Sequence, residues 1–200
     1  MERKEYSASA VKLSFWFIEF RKVVELLNKG KSYDQIRSLA LDENLFATPT
    51  PLRANQIYHT VTGRIKALDK SFIPLFVCSD LAIQKLFALV AAMAYDTLFF
   101  DFVYEVIREK MVLGSNELAD SDVRVFFKDK QQQNEKVSGW TDATLVRLGR
   151  CYKTMLYEAG VIDKAKAARK ILRPILDPEL VRWLEQNDMG VYVKALAGVR

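Results

Sequence analysis

Few residues in this chain have the type and spacing to do chemistry, and most of them are cations. Residues 145–175 hold eight lysines and arginines (Arg147, Arg150, Lys153, Lys164, Lys166, Arg169, Lys170 and Arg173) against two acids, Glu158 and Asp163. The resulting local charge of +6 exceeds the +5 of the whole chain. Cations gathered in one stretch are the electrostatic footprint of a polyanion binder. Arg147, Arg150 and Lys153 recur every three residues. At 100° per residue they centre on the helix side opposite an apolar stripe of Leu145, Leu148, Tyr152, Met155 and Ala159. Thr154 and Tyr157 share the cationic side. A helix with its apolar face in a core and its cations outward suits the major groove of duplex DNA. The competing reading is an ordinary solvated helix face.

A second polar strip, Arg53, Gln56, Thr60 and Arg64, runs along an earlier helix. With the helix before it, it forms a candidate helix-turn-helix in which these residues read bases. The intervening segment, residues 42–50, is longer than the usual turn, so a plain helical hairpin competes.

Other chemistries find little support. Cys78 and Cys151 stand apart and His59 is the single histidine, so a zinc site cannot be built from Cys and His alone. Two lone thiols fit a reducing compartment. Gly30-Lys31-Ser32 matches the end of a phosphate-binding loop, but that motif needs glycine where Glu25 stands and a strand before it. Asp101, Glu105 and Glu109 share a helix face without the Glu-x-x-His pair of a bundle metal site. Arg108, three residues after Glu105, points instead to a surface ion pair. No nucleophile motif surrounds His59. The residues therefore lead to no enzyme, no metal and no cofactor.

The elements that position these residues read mostly as helices. Leu13, Phe17, Phe20, Val24 and Leu27 predict a helix over 13–28, ended by Gly30. Ser32 and Gln35 form a capping box for the next helix, with Ile36 and Leu39 inward. Thr50 and Pro51 open a third, to about residue 68, with Tyr58, Val61, Ile65 and Leu68 buried. Two helices, roughly 80–94 and 96–111, are apolar nearly all round and belong in a core. A helix starts at Asp120 and runs to about Lys130. Residues 128–139 lack periodicity and read as a mobile loop or link. Thr141 caps the cationic helix, Trp140 and Leu145 staple it, and Gly160 ends it with Val161 closing on Leu156. Val161-Ile162 and Lys170-Ile171-Leu172 are expected to pair as a short basic ribbon. Asp177-Pro178 starts another helix, stapled by Leu176 and Val181, and a last helix reaches about Leu196.

The expected fold is an all-α multi-helix bundle with helix-turn-helix-like elements and a short C-terminal β-ribbon, winged-helix-like. Residues 1–115 are expected to form an N-terminal helical bundle with the helix-turn-helix-like pair, and residues 116–200 a C-terminal winged-helix-like region, the alternative being one continuous compact domain. The longest uncharged run near the apolar centre is ten residues, 86–95, against about 20 for a membrane span. No secretory signal is visible at the start. The expected location is the cytoplasm, with no membrane partner.

An ordered set of short motifs then makes the chain familiar. It comprises Glu19-Phe20-Arg21-Lys22-Val23, Gly30-Lys31-Ser32, Glu43-Asn44-Leu45, Glu105-Val106-Ile107-Arg108-Glu109-Lys110, Ser138-Gly139-Trp140 leading to Thr144, Glu158-Ala159-Gly160, and Pro174 followed by Asp177-Pro178-Glu179-Leu180. In this order they resemble the BrxA family of BREX bacteriophage-defence systems, over nearly the whole chain. The resemblance implies a non-enzymatic accessory protein, encoded beside a DNA methyltransferase and an ATPase, that supports defence against phage. It also implies a helical fold with helix-turn-helix elements, binding to double-stranded DNA, and other proteins of the system as partners. The family's older label, putative inner membrane protein, conflicts with the hydropathy, which prevails here. The expected DNA-binding residues are Arg147, Arg150, Lys153, Lys164, Lys166, Arg169 and Lys170, with Arg53, Gln56 and Arg64. The alternative is a protein-interaction scaffold in the same defence complex, without direct DNA contact.

Overall fold

The structure, a computed structural model, describes residues 4–164 and 168–199. It is predominantly helical with a small antiparallel sheet, and it divides into two compact units. One comprises residues 16–95. The other comprises residues 1–15 with 96–200.

The unit of residues 16–95 contains α1 (Phe17–Asn28), α2 (Tyr33–Asp42), α3 (Pro51–Lys66), α4 (Phe72–Cys78) and α5 (Leu81–Tyr95). Helix α1 begins four residues later than its apolar spacing predicts. Trp16 is left-handed, with φ of 51°, which breaks the helical path, and Ser9–Lys12 form a separate 3₁₀ turn. The Ser32–Gln35 capping box and the Thr50 cap form as expected. The core is an aromatic cluster of Phe20, Phe72, Phe76 and Phe87, with ring centroids 5.7–6.3 Å apart. Gln84 is buried here because its amide donates to the carbonyls of Phe76 and Ser79.

In the other unit, α6 (Thr97–Phe102) runs through a π-helical segment (Val103–Arg108) into α7 (Glu109–Val112). Next come β1 (Glu117–Ala119), α8 (Asp120–Gln133), α9 (Glu135–Ser138) and α10 (Asp142–Glu158). The unit closes with β2 (Ala168–Lys170), α11 (Pro178–Gln186) and α12 (Gly190–Ala197). Phe99, Phe102, Phe126, Phe127 and Tyr152 pack ring against ring at its centre.

Residues 128–139 are not a loop. Helix α8 continues through them to Gln133, and Asn134 caps α9 by accepting from the Val137 amide. Lys130, in the middle, is only 4% exposed. Its ammonium donates to Glu105 at 2.6 Å and lies 3.7 Å from Asp101, which also accepts from the Tyr6 hydroxyl at 2.6 Å. Burial lowers the Lys130 pKa, but the bond and charge of Glu105, with Tyr6 and Asp101, outweigh it and hold it above the ordinary value. A polar sequence there marked a buried ion pair, not solvent.

The Glu105–Arg108 surface pair does not form either. The wider π turn separates residues three apart. Arg108 is buried instead, its guanidinium over the Tyr104 ring and bonded to the Val199 carbonyl and Glu109.

Candidate nucleic-acid interface

Thr141 fixes the start of α10 by accepting from the Thr144 amide. Gly160, with φ of 81°, ends it, and the Val161 amide turns back to the Leu156 carbonyl at 2.8 Å. The expected stripe, Leu145, Leu148, Tyr152, Met155 and Ala159, is buried. Arg147 and Arg150 lie exposed on the opposite side, with Thr154 and Tyr157.

Lys153 differs from its two neighbours. Its side chain is largely covered, and its ammonium donates to Asp120, the first residue of α8, at 2.5 Å. That hydrogen bond, with the charges of Lys153, Arg124 and Arg169, holds the Asp120 carboxyl below the ordinary Asp range. One acid thus gathers cations from α8, α10 and β2. Arg124 and Lys128 lie exposed on the side of α8 that lines, with Asp142, Leu145 and Val146 of α10, an apolar pocket of about 300 Å³. Both were missed in the sequence because α8 is mixed in charge; only its packing against α10 shows which side they take.

Val161-Ile162 and Lys170-Ile171-Leu172 pair as expected, and a further strand joins them. Ile162 and Ile171 form a single antiparallel bridge, flanked by Asp163 N–H to Lys170 O and Leu172 N–H to Val161 O. The other edge of β2 pairs with β1, in the register Glu117 to Lys170, Leu118 to Arg169 and Ala119 to Ala168. Three short segments therefore lie side by side. β1 escaped the sequence reading because three residues are too few for a visible alternation. Lys164 and Lys170 are exposed and Arg169 is half-buried. Lys166 lies outside the described residues.

The earlier helix does not present its expected strip. Arg64 is 3% exposed and Thr60 is buried, its hydroxyl donating to the Gln56 carbonyl. Arg53 is half-buried, its guanidinium 4.8 Å from the Trp16 ring centroid and donating to the Gln56 side chain at 2.7 Å. Its cation is held by aromatic and amide partners, and Arg64 cannot reach a phosphate from inside the unit. The spacing of the strip was visible in the sequence. Its burial was not, because it depends on the helices that pack against α3, namely α1, α2 and α5. His59 is exposed, edge-on to Tyr58. Among the described residues no group of three or more His, Cys, Asp or Glu is placed to hold a metal ion, and no single helix is long and apolar enough to cross a membrane.

These features define a predominantly helical protein with a cationic surface built by two helices and a strand. The chain belongs to the BrxA family, whose sequence model matches residues 4–188. It is 35% identical over 198 residues, 99% of each chain, to the BREX protein BrxA of Bacillus cereus (strain H3081.97). It is 21% identical over 182 residues to the BREX protein BrxA of Escherichia coli O9:H4 (strain HS), covering 91% of this chain and 85% of that one. A crystal structure of an uncharacterized protein from Magnetospirillum magneticum shares the fold, with a TM-score of 0.81 and 19% identity, over 98% of this chain and 100% of that one.

Proposed function

We propose that this chain is an accessory protein of a BREX phage-defence system that binds double-stranded DNA in the cytoplasm and performs no catalysis itself. Family membership supports the defence role. The observation that carries the DNA reading is the outward side of α10, where Arg147 and Arg150 lie exposed and Lys153 is bonded to Asp120 of α8. The order β1, α8, α10, then a turn back to β2, with α10 cationic on its outer side, supports a winged-helix reading. In it α10 enters the major groove and the basic segment from Lys164 to Lys170 touches the backbone. Arg124 and Lys128 extend the same surface. The apolar pocket between α8 and α10 favours the second reading, a scaffold for another protein of the system.

An Arg147→Ala/Arg150→Ala variant separates the two readings. Both side chains are exposed, so helicity by circular dichroism is expected to be unchanged. Affinity for duplex DNA, measured by fluorescence anisotropy, is expected to fall about tenfold or more. A folded variant that binds as tightly as wild type would put the scaffold first.

A further inference from the structure

Helix α8 has two unlike exposed sides. Arg124, Lys128 and Gln131 face toward α10. Asp122, Val125 and Asp129, at spacings of three and four, face away from it, toward the π segment and α7. On that second side lies a groove of about 320 Å³ with Val106, Leu113, Val125 and Phe126 among its lining. Leu113 is 77% exposed and Val125 58%. Apolar side chains this open, grouped in one groove, mark a surface that is covered in use.

The chain also carries a segment shaped to cover it. Ile175 is 92% exposed, and Leu172 is exposed three residues before it. The segment does not hang free. The Ile171 amide donates to the Asn116 carbonyl at 2.7 Å, and the Arg173 guanidinium donates to the Met111 carbonyl at 3.0 Å. These two bonds lay it along residues 111–116, the same stretch that carries Leu113 at the end of the groove. Holding the segment in place reduces the ordering cost of docking.

We propose that the groove takes the Leu172 and Ile175 side chains of a second copy of this chain, and that two copies exchange these contacts about a two-fold axis. Groove and segment adjoin on one surface, which is what an isologous interface requires: each copy offers both halves to the other. Charge agrees with shape. The segment carries the exposed Arg173, and the groove's lining holds four acids, Glu105, Glu109, Asp122 and Asp129, against one cation, Lys110. Glu109 pairs with Arg108 while its side chain stays 49% exposed. The proposal does not depend on the surface assigned to DNA.

Sedimentation velocity on the full chain, from low micromolar concentration to the highest soluble one, tests this. Wild type is expected to show a reversible monomer–dimer equilibrium. Ile175→Asp, and separately Leu113→Asp/Val125→Asp, are each expected to raise the dimer dissociation constant by about tenfold or more. Circular dichroism checks that each variant is folded. An equimolar mixture of the two variants restores one intact contact per dimer, and is expected to associate more tightly than either variant alone. A wild type that stays monomeric throughout overturns the proposal and gives the groove to a different protein. Variants that dimerise like wild type, or a mixture with no gain, overturn it as well.

Discussion

Asp120 is an acid at the centre of a surface otherwise rich in cations. Its carboxylate holds Lys153 in place and lies within range of Arg124 and Arg169. It also sits in the first turn of α8, where a negative charge is favoured by the helix dipole. These roles oppose the proposed function, since a carboxylate repels phosphate. Asp120→Asn is therefore expected to tighten duplex DNA binding several-fold, because it removes that repulsion and frees Lys153. Anisotropy titrations at fixed salt check this. The same change should lower thermal stability at neutral pH. The sign follows from the pKa: a carboxyl depressed in the folded state stabilises it above the unfolded-state Asp value, about 3.9, and that contribution is lost as pH falls through the lower folded value. The melting-temperature gap between wild type and Asp120→Asn should be open at pH 7 and close progressively on acidification below the ordinary Asp range.

At the scale of elements, α8 and α10 hold the proposed surface together, and their closeness depends on one residue. Gly149 lies buried in the middle of α10. A Cβ there would come within 2.6 Å of Val123 Cγ1 on α8 and 3.5 Å of the Phe127 ring. Alanine normally gains about 1 kcal/mol over glycine inside a helix. Forcing a methyl into a filled core costs typically about 1–3 kcal/mol, and a branched Val123 has little freedom to give way. Gly149→Ala is expected to destabilise by up to about 2 kcal/mol, read as a lower urea midpoint at unchanged m-value. The sequence alone suggests the opposite sign. Its periodicity placed Gly149 on a helix but said nothing of what lay across from it.

For the whole molecule, the formal charge of +5 conceals the arrangement that matters. Cations are concentrated around α10 and β2, and carboxylates rim the groove beyond α8. If the cationic surface meets about five phosphates, counterion release makes the affinity for random duplex DNA fall some hundreds-fold between ~50 and ~200 mM salt. A titration over that range gives the slope directly. A near-flat slope would assign the binding to something other than this surface.

Local physics was legible in the residues. Ser32 with Gln35, Thr50 with Pro51, Thr141 before its stripe, and Gly160 after it all announced helix ends, because caps depend on groups within a few positions of each other. The buried stripe of α10 was legible for the same reason, and so was the outward side of Arg147 and Arg150. Only the tertiary structure decided the rest. Lys130, Arg64 and Arg108 look like surface residues in the sequence, and each is buried in a setting that is distant or unreadable locally: beside the Glu105 carboxylate, on a helix against which α1, α2 and α5 pack, and against the Val199 carbonyl. Lys153 shares the spacing of the outward cations, but Asp120, 33 positions earlier, takes its ammonium. β1 became a strand only by pairing with β2. A charge or a three-residue strand takes its role from what lies across space, and sequence periodicity describes only what lies along one element.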